Sequence, residues 1–144
     1  MDAHFYNVNI AWKLDRKGEM SSPELSQTVE IATPPQFPKG MEGIWSPEHL
    51  FTAAVSSCVM TTFLAIAENS KLEFLNFECN SKGKLEQIEG KFLMTEVILE
   101  PVVTIAREED REKAEKVLQK SEANCLISNS VKSKVTMITK IIIA

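Results

Sequence analysis

Tyr6, Val8, Ile10, Trp12 and Leu14 alternate with Asn7, Asn9, Ala11 and Lys13. A repeat of two marks a half-buried strand. Asp15-Arg16-Lys17-Gly18 follows as a hairpin turn, with Gly18 free to take a positive φ. Strand-like residues return at 19–22 and at 27–32. The stretch 33–43, TPPQFPKGMEG, holds three prolines and two glycines, which predicts an ordered loop or lid. The pattern then changes. From Leu50 to Ala67, 18 residues pass without a charged side chain. Ser46 precedes them as an N-cap, Pro47 as a first helical residue and Glu48 as a partner for the positive end of the dipole. A helix to about residue 69 follows. Its length just reaches that of a membrane span. Five hydroxyls, at Thr52, Ser56, Ser57, Thr61 and Thr62, argue instead for a helix buried on most faces.

Beyond the helix, 74–86 and 91–106 read as two long strands joined near Glu89-Gly90, with Pro101 at an edge position or a bulge. A charged helix from 107 turns Ala114, Val117, Leu118 and Ala123 inward and shows the rest to water. A short helical turn from Cys125 to Val131 and a strand at 135–143 close the chain. Three strands, a long helix, two strands, two helical segments and a last strand make an α+β fold in one domain over 1–144. Hydrophobic content of 44% and charged content of 25% describe a soluble globular chain. A net charge of −4, with no basic cluster, excludes nucleic acid and an anionic membrane surface as partners. The first ten residues lack a basic and then apolar leader, which predicts a cytoplasmic protein with reduced thiols.

The candidate chemistry lies in three cysteines. Their spacing, with only His4 and His49 for company, suits no metal site. Cys79 alternates with Leu75 and Phe77 as a core strand residue. Cys58 sits halfway along the apolar helix, among Phe51, Ala54, Val55, Thr61, Thr62 and Ala65 at helical spacing. It is either a small buried hydrophobe or a reactive thiolate. An apolar setting raises a thiol's pKa, and the helix dipole fades within the first turn. A thiolate here therefore calls for a cation from elsewhere. Arg107 and Arg111 belong to the charged helix, which leaves Arg16 on its hairpin. Glu48 lies ten residues before Cys58, about 15 Å along the axis and about 80° around it. It is too far to act on the sulfur but placed to hold a guanidinium in a planar fork. Cys125, at a helical start, is expected to be accessible and acidified, as a resolving cysteine should be. Whether it pairs with Cys58 depends on the fold.

Ser46-Pro47-Glu48-x-Leu50-Phe51-x-Ala53-Ala54-x-x-x-Cys58 resembles the N-P-E-x-L-x-A-A-x-x-x-C helix of the OsmC/Ohr family, the osmotically inducible and organic-hydroperoxide-resistance proteins. Cys125-x-x-Ser128-Asn129 resembles that family's second motif, C-P-x-S-x-A. The resemblance implies an N-terminal antiparallel hairpin, a long buried central helix, and a second antiparallel sheet with a surface helix. It further implies an intertwined homodimer with sites at the subunit interface. Cys58 becomes the peroxidatic thiol, Cys125 the resolving thiol and Glu48 the holder of the activating arginine. Arg16-Lys17-Gly18 falls where the family's hydroperoxide-resistance branch carries its R-D-G turn. Leu126 stands where the second motif has proline, the hairpin lacks the glycine pair before the arginine, and the loop offers Lys39 but no arginine. These departures point to a less characterised branch.

The expected activity is reduction of organic hydroperoxides through a Cys58/Cys125 sulfenate–disulfide cycle. No bound cofactor is expected, and an external dithiol of lipoyl type restores the thiols. Phe51, Val55 and Phe37 are candidates for an apolar substrate pocket. The alternative is a non-enzymatic dimer that binds an apolar or thiol-bearing small molecule or senses redox state.

Overall fold

The computed structural model describes residues 1–144, and the helix signal at Ser46 is met directly: α1 spans Pro47–Asn69. The Ser46 hydroxyl accepts the His49 amide at 3.1 Å and its carbonyl accepts the Leu50 amide at 2.9 Å. The side chain thus satisfies one amide that the first helical turn cannot. The chain forms two compact units, Met1–Leu50 and Phe51–Ala144.

The first unit is an antiparallel meander of β1 (Asn9–Leu14), β2 (Lys17–Ser22) and β3 (Leu25–Ala32). Asp15, with φ 48°, takes the left-handed turn position expected of Gly18. Gly18 instead lies within β2 opposite Trp12, where a Cβ would stand 2.7 Å from the Ala11 carbonyl oxygen. Its missing side chain serves close approach, not turning. The loop after β3 is ordered, as expected. The Phe37 amide bonds the Pro34 carbonyl, the Gly40 amide that of Phe37, and the Met41 amide that of Thr33.

β1 departs from expectation. All six of its residues are exposed, with Ile10 63% and Trp12 75% accessible. Period-two alternation states that one face is apolar but not what covers it. Ile10 lies beside Met20 and Met20 beside Val29, so the apolar row crosses all three strands.

In the second unit β4 (Asn76–Ile88) and β5 (Lys91–Ile105) form a long antiparallel hairpin. Glu89 and Gly90 both take positive φ at its tip, the two-residue turn that matches strand twist. A 3-10 turn (Glu108–Asp110) leads into α2 (Arg111–Ala123), and a second 3-10 turn covers Ser128–Ser130. The C-terminal strand expected as one piece is two, β6 (Lys134–Met137) and β7 (Lys140–Ile143). Both run parallel to β5, β6 along Glu96–Leu99 and β7 along Val102–Ile105. Pro101 falls in the gap between them. It is therefore at neither an edge nor a bulge, but where a central strand has no ladder partner on that side.

Alternate residues of β5, from Val97 and Leu99 to Val103 and Ile105, are fully buried. Against them lie Val55, Cys58, Val59, Phe63 and Ala67 of α1, spaced three or four apart on one face. Ala114, Val117 and Leu118 of α2 join the same core. Ala123 does not; Ser121 is buried instead, its hydroxyl donating to the Val117 carbonyl at 2.6 Å. Phe63 stacks with Phe74 and Phe77, ring centroids 5.1 and 4.8 Å apart. α1 was expected to be buried on most faces, yet Ser57, Met60, Thr61 and Leu64 on the opposite side are exposed. By length and composition α1 could cross a membrane. In this fold its inner face serves as the floor of a core.

Gly83 on β4 lets α1 lie close. A Cβ there would run into Thr52 Oγ1 and stand 2.7 Å from Met94 Cε. Gly83→Ala should lower unfolding stability by about 1–3 kcal/mol through overpacking, measured by urea denaturation. Adding Thr52→Ala should return part of that loss. A Gly83→Ala protein as stable as the parent would remove this contact as a constraint.

Candidate active site

The helix and the chain after α2 bring two thiols into one buried cluster. Cys58 and Cys125 share it with Val55, Val59, Val97 and Leu99, and Cys79, Phe51 and Ile127 pack against it. Cys58 is 8% exposed and Cys125 fully buried; all three cysteines are free thiols. The Cys58–Cys125 meeting is long-range, sixty-seven residues apart in sequence. It arises because α1 packs on β5 while α2 delivers the following turn to the same core.

That turn is built around Cys125. The Asn129 amide bonds the Cys125 carbonyl at 3.0 Å and the Ser130 amide that of Ile127 at 3.0 Å. The Ser128 amide donates to the Cys125 sulfur at 3.4 Å. The Ser128 hydroxyl is buried beside it without another oxygen or nitrogen as partner. Thr62 Oγ1 lies 3.9 Å from the Cys58 sulfur.

The electrostatic result reverses two sequence expectations. Burial pushes the Cys58 thiol up, but donation from Cys125, Ile127, Thr62 and Leu126 outweighs it and leaves Cys58 below the ordinary thiol value. Neutral donors do what only a cation was expected to do. Cys125 moves the other way. Burial pushes it up, the neighbouring Cys58 sulfur adds to that, and Ser128 pulls down too weakly to offset them. The accessible, acidified Cys125 expected from its place in the sequence is instead buried, its thiol pushed up. Of the two, Cys58 is the thiol that gives up its proton more readily.

Arg16 and Glu48 meet in the first unit, both lining a cavity of about 630 Å³ with Lys17, Trp12, Phe37 and Leu50. The expected apolar trio separates. Phe37 lines this cavity, Val55 is fully buried in the core, and Phe51 packs against the thiol cluster. Cys79 is half-buried at β4 as expected, its sulfur 3.6 Å from Ser81 Oγ. Thr62 stands where helical spacing puts it, four residues after Cys58; sequence reasoning missed Ile127, which no spacing relates to that helix.

Known proteins place this geometry. A model of OsmC-like protein matches residues 40–140, which include all three cysteines and Glu48. An uncharacterised protein of Bacillus subtilis, YmaD, is 28% identical over 94% of this chain and 91% of its own. An OsmC-like protein of unknown function from Vibrio cholerae superimposes with a TM-score of 0.83 at 25% identity, covering 95% of this chain and 99% of its own. An organic hydroperoxide resistance protein of Bacillus subtilis, OhrB, shares the fold at a TM-score of 0.71 and 20% identity, covering 96% of this chain and 98% of its own. With more than two thirds of its residues matched by that model, the chain belongs to the OsmC-like protein family.

Proposed function

We propose that this protein is a thiol peroxidase that reduces organic hydroperoxides. The reading is carried by one observation: two free thiols, Cys58 and Cys125, lie together in one buried cluster, and Cys58 is the one whose pKa is lowered. The Cys58 thiolate attacks the outer oxygen of ROOH. The O–O bond breaks, the alkoxide takes a proton and leaves as ROH, and Cys58 becomes a sulfenic acid. The Cys125 sulfur then attacks Cys58, water leaves, and a disulfide forms. A dithiol of lipoyl type reduces it by exchange and is itself oxidised to a disulfide. Arg16, oriented by Glu48, stabilises charge developing on the peroxide oxygens. Its burden is lighter than the sequence implied, since the thiolate is already favoured without it. Such a cycle belongs in a reducing compartment, the cytoplasm.

The working unit is a homodimer. Two apolar surfaces, the row across β1 with Ile10 and Trp12 and the α1 face with Met60 and Leu64, lie open on the single chain. Large exposed apolar patches mark association surfaces, and a second copy offers the same two.

Three outcomes follow. Cumene hydroperoxide consumption should fall at least roughly a hundredfold in Cys58→Ser. Cys125→Ser should still reduce about one equivalent per site before recycling stops, while thiol titration of the parent after peroxide should show two thiols lost together. Unchanged consumption in Cys58→Ser sinks the mechanism; no consumption by the parent favours a binding protein. Iodoacetamide labelling followed by peptide mass spectrometry tests the protonation split. A lowered pKa means thiolate appears at lower pH, so the Cys58 rate should rise below the usual thiol range, near pH 8.5, and the Cys125 rate above it. Sedimentation should give a dimer that Leu64→Glu converts to monomer; a dimer left intact would remove the α1 face from the interface.

A further inference from the structure

Ser128 carries a hydroxyl that the resting fold leaves unused. The oxygen is buried, and no nitrogen or oxygen partners it. Such a group works against folding, so its presence calls for a use outside the resting state. The backbone shows where that use lies. The Ser128 amide donates to the Cys125 sulfur at 3.4 Å, so that Cys125 caps its turn as a serine caps a helix. The turn is fixed by the Asn129 amide on the Cys125 carbonyl at 3.0 Å and by the Ser130 hydroxyl on the Leu126 carbonyl at 2.7 Å. The Ser128 hydroxyl hangs three bonds from the nitrogen that faces the sulfur. Cys125 itself is fully buried. The titratable groups of its cluster are thiols, Cys58 from α1 and Cys79 from β4; Val97 and Leu99 of β5 and Val135 and Met137 of β6 bring no charge.

We propose that Ser128 is a positioning residue for Cys125: its amide holds the sulfur in place, and its buried hydroxyl is the donor reserved for the charge that sulfur gains on losing its proton. The inference rests on the proposed cycle, with Cys125 as the resolving thiol. In that step Cys125 gives up its proton, its sulfur attacks the sulfur of the Cys58 sulfenic acid, and the S–O bond breaks. The hydroxide leaves with that proton as water, and the disulfide remains. Burial makes the proton hard to lose, and Ser128 pulls against burial. A hydroxyl bonds a charged acceptor about twice as strongly as a neutral one. It also turns about its own C–O bond, so the donor reaches the sulfur without backbone movement. The help is therefore greatest when charge is present, at the moment of attack.

The test separates the hydroxyl from the amide. In a Cys58→Ser, Cys79→Ser chain, Cys125 is the one thiol left. Its ultraviolet thiolate absorbance is followed against pH with Ser128 in place, with Ser128→Ala and with Ser128→Thr. Ala keeps the amide and removes the hydroxyl. Below the midpoint it should lower the thiolate fraction by roughly tenfold, as expected for one bond to a charged acceptor. Thr returns the hydroxyl and should return most of that fraction. Coincident curves for Ser128 and Ser128→Ala overturn the proposal. Urea unfolding of the reduced chains tests for a merely structural hydroxyl. An unpartnered one is removed without loss, so Ser128→Ala should be at least as stable as its parent; a clear loss overturns the proposal. In the full chain, dimedone added with peroxide should trap several-fold more Cys58 sulfenic acid in Ser128→Ala. The excess should shrink as rising pH ionises Cys125 unaided, and equal trapping overturns the resolving role. Titration and unfolding need no turnover. A parent that reduces no peroxide yet shows the Ala shift loses the enzymatic reading and keeps the hydroxyl's assignment. Full turnover with coincident curves does the reverse.

Discussion

Everything chemical in this protein depends on one packing contact, the inner face of α1 laid on β5. Val55, Val59 and Phe63 reach Val97, Leu99 and Val103 because a helix repeats every three to four residues and a strand every two. Cys58 occupies one of those contact positions. Its neighbours are therefore not chosen by its own segment but by what β5 and α2 bring to the other side. The turn after α2 arrives with a thiol, Cys125, and with the Ile127 side chain. Remove that contact and Cys58 is a small apolar residue; make it and the sulfur acquires an environment. Gly83 is the cheapest evidence of how closely the helix lies, since even a methyl group there meets Thr52.

The fold was largely legible, and the reasons are local. Ser46-Pro47-Glu48 announces the start of α1 through capping chemistry that any helix obeys. Glu89-Gly90 announces the hairpin through positive φ. What failed was whatever needed a partner surface. Alternation along β1 revealed an apolar face, but the same pattern serves a strand covered by its own chain and one covered by a second copy. The exposure of Ile10 and Trp12 tells the two apart. Gly18 was read as a turn residue because glycine permits positive φ. Its real use, clearance for the Ala11 carbonyl, belongs to the neighbouring strand.

The candidate site shows a sharper limit. Both thiols stand out by their positions in the sequence, and their meeting does not. Cations are the acidifying groups a sequence displays, because side chains are what it shows. Backbone amides are present at every residue but proline, so their presence carries no information. Only their direction does, and direction comes from the fold. Cys125 failed for the complementary reason. At the head of a short turn it looks open and acidified, but it is fully buried and burial pushes its thiol up.

Activation by neutral dipoles has a consequence for the proposed cycle. A guanidinium set directly on the sulfur would lower its pKa further, but a thiolate loses nucleophilicity as its basicity falls. It would also place a desolvated ion pair in the core, where the Coulombic gain is largely offset by the loss of hydration. Amides and a thiol shift the equilibrium toward the thiolate while leaving the sulfur basic enough to attack an O–O bond. In the proposed cycle an organic, rather than a hydrogen, peroxide needs an apolar wall, and within the first unit Trp12, Phe37 and Leu50 line such a cavity together with Arg16 and Glu48.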